Sequence, residues 1–173
     1  MEPSAYLTSE RLTYLPPTLR DESFFTKVQT DPQIMKFMGA GTRTPEAAKV
    51  LLMRCVYHQQ LFGYSLGIVA LKDTLEPIGQ AGLYHFNLEE DDSRIEIAFA
   101  FFEPYWGKGY ATETIQALQA WSTSALQNEK LFAVVNPKNT ASLKVLKKCG
   151  FKFKKNTTRE RVKAQLWIWS HQG

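Results

Sequence analysis

Residues 106–111, with the sequence Trp-Gly-Lys-Gly-Tyr-Ala, constrain the fold of this chain more than any other segment. An apolar run, residues 94–102, leads into them and predicts a β-strand, and residues 110–126 predict a helix directly after them. Glycine allows a backbone to approach an anion closely, and the first N–H groups of a helix have no partner within it. The segment therefore predicts a strand–loop–helix unit that binds phosphate.

The residue spacing disfavours two common phosphate-binding motifs. The chain contains no GxxxxGK motif followed by Ser or Thr, and a dinucleotide-binding GxGxxG/A motif fails because Thr112 stands in its third position. The strand predicted next, residues 131–135, is followed by Asn-Pro and not by an acidic residue that would bind a ribose. A turn without any ligand stays an alternative, since glycine is common in strand-to-helix turns.

The order of predicted elements indicates the fold class. A strand is followed by helices, three strands, a helix, a strand, a second helix and closing strands, which favours a mixed sheet in an α+β or α/β arrangement. The length suits a single domain, residues 1–173. The predicted strands are residues 11–15, 64–71, 77–86, 94–102, 131–135, 151–153 and 164–169, and the predicted helices are residues 21–30, a short one from 31, 44–62, 110–126 and 139–149.

Composition and charge exclude several classes of protein. A formal net charge of +4 is far below that of a typical nucleic-acid-binding domain, so we expect no direct nucleic-acid partner. Cys55 and Cys149 have neither CxxC nor metal-site spacing, and we expect no metal and a reduced, cytoplasmic protein. The N-terminus lacks a signal-peptide pattern and no apolar run is long enough to span a bilayer, so we expect no membrane association.

Several motifs together resemble the GNAT acetyltransferases. Trp106, Gly109 and Ala111 take the places of the family's Q/R-x-x-G-x-G/A loop, which binds the pyrophosphate of acetyl-CoA. Trp106 departs from the usual Gln or Arg, but the sequence is typical of the branch that resembles the RimJ/RimL ribosomal-protein N-terminal acetyltransferases. The resemblance covers nearly the whole chain and extends to Thr8-Ser9-Glu10-Arg11-Leu12 ("T-x-R-L"), Ile78-Gly79 ("IG"), residues 95–99 ("EIGY") and residues 136–151 ("N-x-x-N-x-x-S…G-F").

This resemblance implies a fold and a cofactor site. The fold is a GNAT-type mixed, mostly antiparallel twisted sheet flanked by helices, with a splayed strand pair that binds CoA. Acetyl-CoA is the implied co-substrate, with no metal. The implied cofactor-binding residues are Phe101, Phe102, Trp106, Gly107, Lys108, Gly109, Tyr110, Ala111, Thr112, Asn139 and Ser142.

Two side chains are predicted to take part in catalysis. By resemblance, Ser142 is the donor to the CoA sulfur, since Leu146 occupies the place where many GNAT enzymes carry a tyrosine. The alternative for Ser142 is a hydroxyl bonded to the carbonyl one helical turn earlier. Glu96 is predicted as the general base, with a structural glutamate paired with an arginine or a backbone N–H as its alternative. His85 is a weaker candidate for the base.

We predict that the acceptor is a primary amine that attacks directly in a ternary complex. A protein N-terminal α-amine is the first prediction, and a polyamine, amino acid or antibiotic amine is the second. A non-catalytic acyl-CoA-binding or sensing domain is the rival from another class. Residues 33–61 and 84–86 are expected to form the acceptor pocket, and the sequence leaves open both a monomer and a homodimer. The candidates for the lining of the acceptor pocket are Met35, Phe37, Met38, Tyr84 and Phe86, with core packing as the favoured role for each.

Overall fold

A computed structural model describes residues 4–171, and the outer residues of the predicted domain 1–173 lie outside that range. One sheet contains eight strands in the order β1-β2-β3-β4-β5-β6-β8-β7. The strands are β1 Leu7–Thr8, β2 Leu12–Leu15, β3 Leu66–Leu71, β4 Pro77–His85, β5 Ile95–Phe101, β6 Lys130–Val135, β7 Lys152–Arg159 and β8 Val162–Ser170. The helices are α1 Glu22–Thr30, α2 Pro32–Met35, α3 Pro45–Phe62, α4 Tyr110–Ala125 and α5 Thr140–Lys148, with 3-10 turns at Leu19–Asp21, Phe86–Leu88 and Glu103–Tyr105.

Strands β5 and β6 diverge in the middle of this sheet. They form the parallel pair and are matched at Glu96 and Phe132, whereas the neighbouring pairs β4–β5 and β6–β8 are antiparallel over their lengths. Beyond that point the backbones separate and leave a gap between two central strands. The predicted mostly antiparallel mixed sheet with a splayed pair is therefore confirmed.

Strand β5 contributes to a different core on each face of the sheet. Ile97 and Phe101 pack with the buried side chains of α4, such as Leu118. Ala98 and Ala100 point to the opposite face, where α1, α2 and α3 pack. This alternation follows from the period of two in a strand. Full burial of a side chain such as Leu118 contributes about 1.5–3 kcal/mol to stability.

Local signals predicted the ends of α3 correctly. The Thr44 hydroxyl accepts a hydrogen bond from the N–H of Ala47 at 3.1 Å, and Pro45 occupies the first helical position. Gly63 ends the helix with φ of 79°, in the left-handed region that glycine adopts at little cost. Helix α3 therefore begins and ends where its sequence predicts.

The closing hairpin was predicted too short. Strand β7 runs over Lys152–Arg159, against an expected 151–153, and β1 was not predicted at all. The residues of β7 are mostly exposed and lysine-rich, so no alternation of apolar residues marks the strand. Its two-residue turn, Glu160 and Arg161, has φ of 49° and 64° without the glycine or asparagine that usually signals such a turn.

Candidate active site

The glycine loop joins β5 to α4 in a left-handed backbone conformation that glycine adopts at little cost. Gly107 and Gly109 have φ of 71° and 82°, and Gly109 is the N-cap of α4. The indole N–H of Trp106 donates to the carbonyl of Phe101 at 2.7 Å, which fixes the loop against the end of β5. The first N–H groups of α4 therefore face outwards beside residues without side chains, which is the arrangement that an anion needs.

The N-terminal segment braces this loop. The guanidinium of Arg11 donates to the carbonyl of Lys108 at 2.9 Å and to Glu113 of α4 at 2.7 Å. The backbone N–H of Arg11 and the hydroxyl of Ser9 both donate to the other oxygen of Glu113, each at 2.7 Å. Partial burial alone would raise the pKa of Glu113, but these donors outweigh it and lower that pKa. The sequence motif marked Arg11 without revealing this contact.

A cavity of about 610 Å³ lies between the glycine loop and α5. It includes most of the predicted cofactor-binding residues. Phe102 does not line it, and the N–H of Phe102 already donates to the carbonyl of Ile78 at 3.0 Å. The side chain of Lys108 lies over the ring of Tyr105 instead. The predicted residues that line the cavity are Phe101, Trp106, Gly107, Gly109, Tyr110, Ala111, Thr112, Asn139 and Ser142.

Helix α5 presents Ser142 to this cavity. Asn139 caps the helix, as predicted, by accepting the N–H of Ser142 at 3.1 Å. Leu146 is buried on the same face, one turn further on. Within residues 4–171 the Ser142 hydroxyl makes no hydrogen bond, so the alternative bond to its own helix is not observed there. A half-buried hydroxyl with a vacant donor therefore faces the cavity.

A second cavity of about 500 Å³ adjoins the first on the α1–α3 side of the sheet. Six residues line both cavities and mark where the two meet: Phe37, Met38, Phe99, Ala100, Asn139 and Ser142. The junction lies where β5 and β6 diverge. The five residues expected to form an acceptor pocket, Met35, Phe37, Met38, Tyr84 and Phe86, all line the second cavity.

Glu96 lies in the wall of the second cavity as half of an ion pair. Its side chain is only 2% exposed, and Arg159 donates to its two oxygens at 2.5 and 3.0 Å. Arg159 also donates to the side-chain oxygen of Asn87 at 2.9 Å. The pairing of Glu96 with an arginine, which was the alternative to a catalytic role, is thus present. The role of Glu96 as a general base stays a prediction. Arg159 lies in the part of β7 that no sequence pattern revealed.

His85 lines neither cavity. Its Nδ1 lies 2.8 Å from Nε2 of His58, whose Nδ1 lies 2.7 Å from the carbonyl of Tyr64. A carbonyl only accepts, so Nδ1 of His58 carries the proton. Burial lowers the pKa of His58 to about 4. The geometry therefore gives His85 a structural role.

The sequence led us to expect no metal, no membrane association and reduced cysteines. The structure agrees with these expectations but does not test them. Burial raises the pKa of Cys55 to about 12, so this thiol is a poor nucleophile. Among the residues that the structure describes, no group of three His, Cys, Asp or Glu side chains is arranged to bind a metal. No helix between residues 4 and 171 combines the length and the apolar character required to cross a membrane.

Comparisons with known proteins agree with this geometry. A family model described as "Acetyltransferase (GNAT) domain" matches residues 11–152. The "Uncharacterized N-acetyltransferase p20" of Bacillus licheniformis is 29% identical over 92% of this chain and 88% of that protein. The structure of an acetyltransferase from Agrobacterium tumefaciens str. C58 is similar with a TM-score of 0.82 and 25% identity, over 96% of this chain and 94% of that one.

More distant solved structures share the fold. AAC(6')-Ib, solved in complex with ribostamycin and coenzyme A, has a TM-score of 0.76 at 18% identity, with 94% of each chain covered. The ribosomal-protein-S5-alanine acetyltransferase of Vibrio fischeri has a TM-score of 0.73 at 16% identity, again over 94% of each chain. The two names refer to different kinds of acceptor, so the fold alone does not select one.

Proposed function

The chain belongs to the GNAT acetyltransferase family and acts with acetyl-CoA, and we propose that it acetylates protein N-terminal α-amines as the RimJ/RimL-like branch does. The observation that carries the proposal is the pair of adjoining cavities that share Ala100, Asn139 and Ser142. The cavity of about 610 Å³ contains the glycine loop and is called the cofactor cavity. The cavity of about 500 Å³ is open to an acceptor and is called the acceptor cavity. A direct attack in a ternary complex requires such a meeting point.

Acetyl-CoA supplies an activated acetyl thioester. The N–H groups of residues 107–112 bind its pyrophosphate, and Arg11 holds the loop in place through the carbonyl of Lys108. The hydroxyl of Ser142 donates a hydrogen bond to the departing thiolate, because it lies at the junction with no other partner in residues 4–171, and water then protonates the released thiolate. A buried thiol such as Cys55 is unsuited to an acetyl-enzyme intermediate, which favours direct transfer.

Glu96 takes the proton from the attacking amine in this proposal. Its carboxylate lines the acceptor cavity and is oriented by Arg159. Proton transfer from the amine passes through water or directly to a carboxylate oxygen. The contribution expected of such a base is about 100-fold or more in rate.

The charges of the acceptor cavity favour an acceptor with a single positive charge. Three carboxylates line it, and two of them are neutralised, Glu96 by Arg159 and Glu160 by Arg43 at 2.8 Å. Glu89 has no salt bridge within residues 4–171, so a polyamine or an aminoglycoside would bring several ammonium groups to a wall with one uncompensated carboxylate. A peptide N-terminus brings one amine, which supports a protein or peptide acceptor over a polycation.

The test is an acceptor panel with acetyl-CoA. The acceptors are a lysine-free peptide, the same peptide blocked at its N-terminus but containing lysine, spermidine, an aminoglycoside and alanine, with released thiol measured and products located by mass spectrometry. We expect the unblocked lysine-free peptide to be acetylated at its α-amine with the highest kcat/KM. Preference for spermidine or the aminoglycoside would replace the proposal with a small-amine acetyltransferase. CoA binding without thiol release for any amine would indicate a sensing domain.

A further inference from the structure

Gln80 on β4 lines the acceptor cavity with an unsatisfied hydrogen-bond donor. The residue is 2% exposed, and its Nε2 has no hydrogen-bond partner among residues 4–171. A buried amide group that leaves its donors unpaired is unfavourable, and native proteins keep few of them. The position of Gln80 in the cavity wall suggests that the partner comes from the molecule that fills the cavity.

The orientation of the Gln80 amide follows from its neighbours. Nε of Arg43 donates to Oε1 of Gln29 at 3.2 Å, and Nε2 of Gln29 donates to Oε1 of Gln80 at 3.0 Å. A guanidinium can only donate, so the oxygen of Gln29 must face Arg43 and its nitrogen must face Gln80. The oxygen of Gln80 therefore faces Gln29, which leaves Nε2 of Gln80 as the vacant group without relying on an arbitrary assignment of amide atoms.

This donor lies beside the place where acetyl transfer would occur. Gln80 is directly opposite Ala100 in the register of β4 and β5, so their side chains share one face of the sheet. Ala100 lines both the cofactor cavity and the acceptor cavity. An amine at the junction would place the atoms attached to its α-carbon near Gln80.

The charges around Gln80 indicate which chemical group it binds. Arg43, which is linked to Gln80 through Gln29, is neutralised by Glu160, so Gln80 offers a neutral amide donor. A neutral donor suits a carbonyl oxygen, and a simple alkylamine would leave it unpaired. We propose that Nε2 of Gln80 donates to the carbonyl oxygen adjacent to the acceptor's α-amine, which makes Gln80 a specificity residue for α-amino amides. This inference rests on the proposed acetyltransferase activity.

The test compares two amines of nearly equal shape. Alaninamide carries the carbonyl, and 3-methylbutan-2-amine replaces its amide group with an isopropyl group. The substitution Gln80→Met removes the donor and keeps the length of the side chain. We expect kcat/KM for alaninamide to fall about five- to twentyfold, the loss of roughly one hydrogen bond, with kcat/KM for 3-methylbutan-2-amine within about twofold of wild type. An equal effect on both amines, or none on either, would overturn the inference.

A matched control distinguishes the effect of losing Nε2 of Gln80 from the effect of losing the hydrogen bond between Gln80 and Gln29. Gln29→Met breaks the hydrogen bond between the two glutamines and leaves Nε2 of Gln80 in place, so most of the discrimination between the two amines should remain. Free alanine added as a third acceptor distinguishes an amide carbonyl from a carboxylate, and we expect alaninamide to be the better substrate. If Gln80→Met does not fold, as judged by circular dichroism, Gln80→Glu serves instead, because it keeps an oxygen towards Gln29 and removes the donor.

A binding measurement distinguishes this inference from the proposed function. Alaninamide is titrated calorimetrically into protein saturated with CoA, which requires no turnover. Weaker binding to the Gln80→Met variant, in a protein that acetylates no amine, would support the inference and refute the activity. Unchanged alaninamide binding and unchanged kcat/KM in an active enzyme would refute the inference and leave the activity intact.

Discussion

The guanidinium of Arg11 is hydrogen-bonded to the backbone carbonyl of Lys108 at 2.9 Å, across 97 positions of the chain. The same guanidinium binds Glu113 and lies over the ring of Tyr110, 4.5 Å from its centroid. These contacts hold both sides of the glycine loop, which is otherwise exposed. We therefore expect the order of the loop, and with it the affinity for CoA, to depend on a residue that does not line the cavity.

Substitution of Arg11 should weaken CoA binding with little effect on the chemical step. Arg11→Lys keeps the charge but cannot reach Lys108 and Glu113 together with the geometry of a guanidinium. We expect the Kd for CoA to rise about five- to tenfold, with kcat within about twofold at saturating acetyl-CoA. Arg20→Lys, at an exposed arginine of the 3-10 turn Leu19–Asp21, is the control and should bind CoA normally. Unchanged affinity in Arg11→Lys would show that the loop does not need the brace.

Gly109→Val should abolish CoA binding while the fold survives. The backbone at Gly109 has φ of 82°, which a β-branched residue adopts only with strain, and a Cβ there would lie 3.3 Å from the guanidinium of Arg11, which braces the loop. Calorimetry with CoA measures the loss. Gly63→Val carries similar strain at φ of 79° at the end of α3, away from the loop, and should lower stability while leaving CoA affinity intact. Normal CoA binding by Gly109→Val would contradict the assignment of the loop.

The features that the sequence predicted are local ones. The glycine loop, the Asn139 cap and the ends of α3 each arise from residues within a few positions of one another, so their patterns are visible in the chain itself. The contacts that shape the acceptor cavity join distant residues, with Glu96 and Arg159 separated by 63 positions and Gln29 and Gln80 by 51. No periodicity or motif encodes such pairs, because they form only once strands and helices pack.

Ser142→Ala should lower turnover much more than it lowers CoA affinity. Its hydroxyl has no structural partner in the described part of the chain, so removal costs little stability, whereas the leaving thiolate loses a hydrogen-bond donor. We expect kcat to fall about 100-fold and the Kd for CoA to change less than about threefold. Ser124→Ala, on the exposed face of α4, is the matched control and should be fully active. Normal turnover in Ser142→Ala would remove this residue from the mechanism.

Glu96→Gln distinguishes a base from a structural carboxylate. If Glu96 accepts the proton, kcat/KM should fall about 100-fold while the Kd for CoA stays within about twofold, and this is the result that we expect. Arg159→Gln breaks the same ion pair and keeps the carboxylate, so it should lose comparable stability but retain most of the activity. Equal losses of kcat/KM in the two variants would assign Glu96 a structural role alone.

His58 should make the protein less stable in mild acid. Its Nδ1 proton faces the carbonyl of Tyr64, and its Nε2 receives the backbone N–H of His85 at 3.1 Å, so a proton on Nε2 would face a donor. Burial lowers the pKa of His58 from 6.5 to about 4 in the folded protein, and burial also lowers that of His85.

Because the pKa of His58 is lower in the folded protein than in the unfolded chain, the protein loses stability as the pH falls. As the pH falls below 6.5, the unfolded chain binds the proton of residue 58 before the folded protein does, so stability is greatest above 6.5 and is lost towards pH 4. Between pH 7.5 and 5 we expect the free energy of unfolding in urea to fall by about 1–2 kcal/mol from His58. His58→Gln keeps an amide donor and an acceptor in that place. This variant should be less stable at pH 7.5, but its free energy of unfolding should change less with pH. A wild-type curve that is level across this range would show that His58 titrates normally in the folded state.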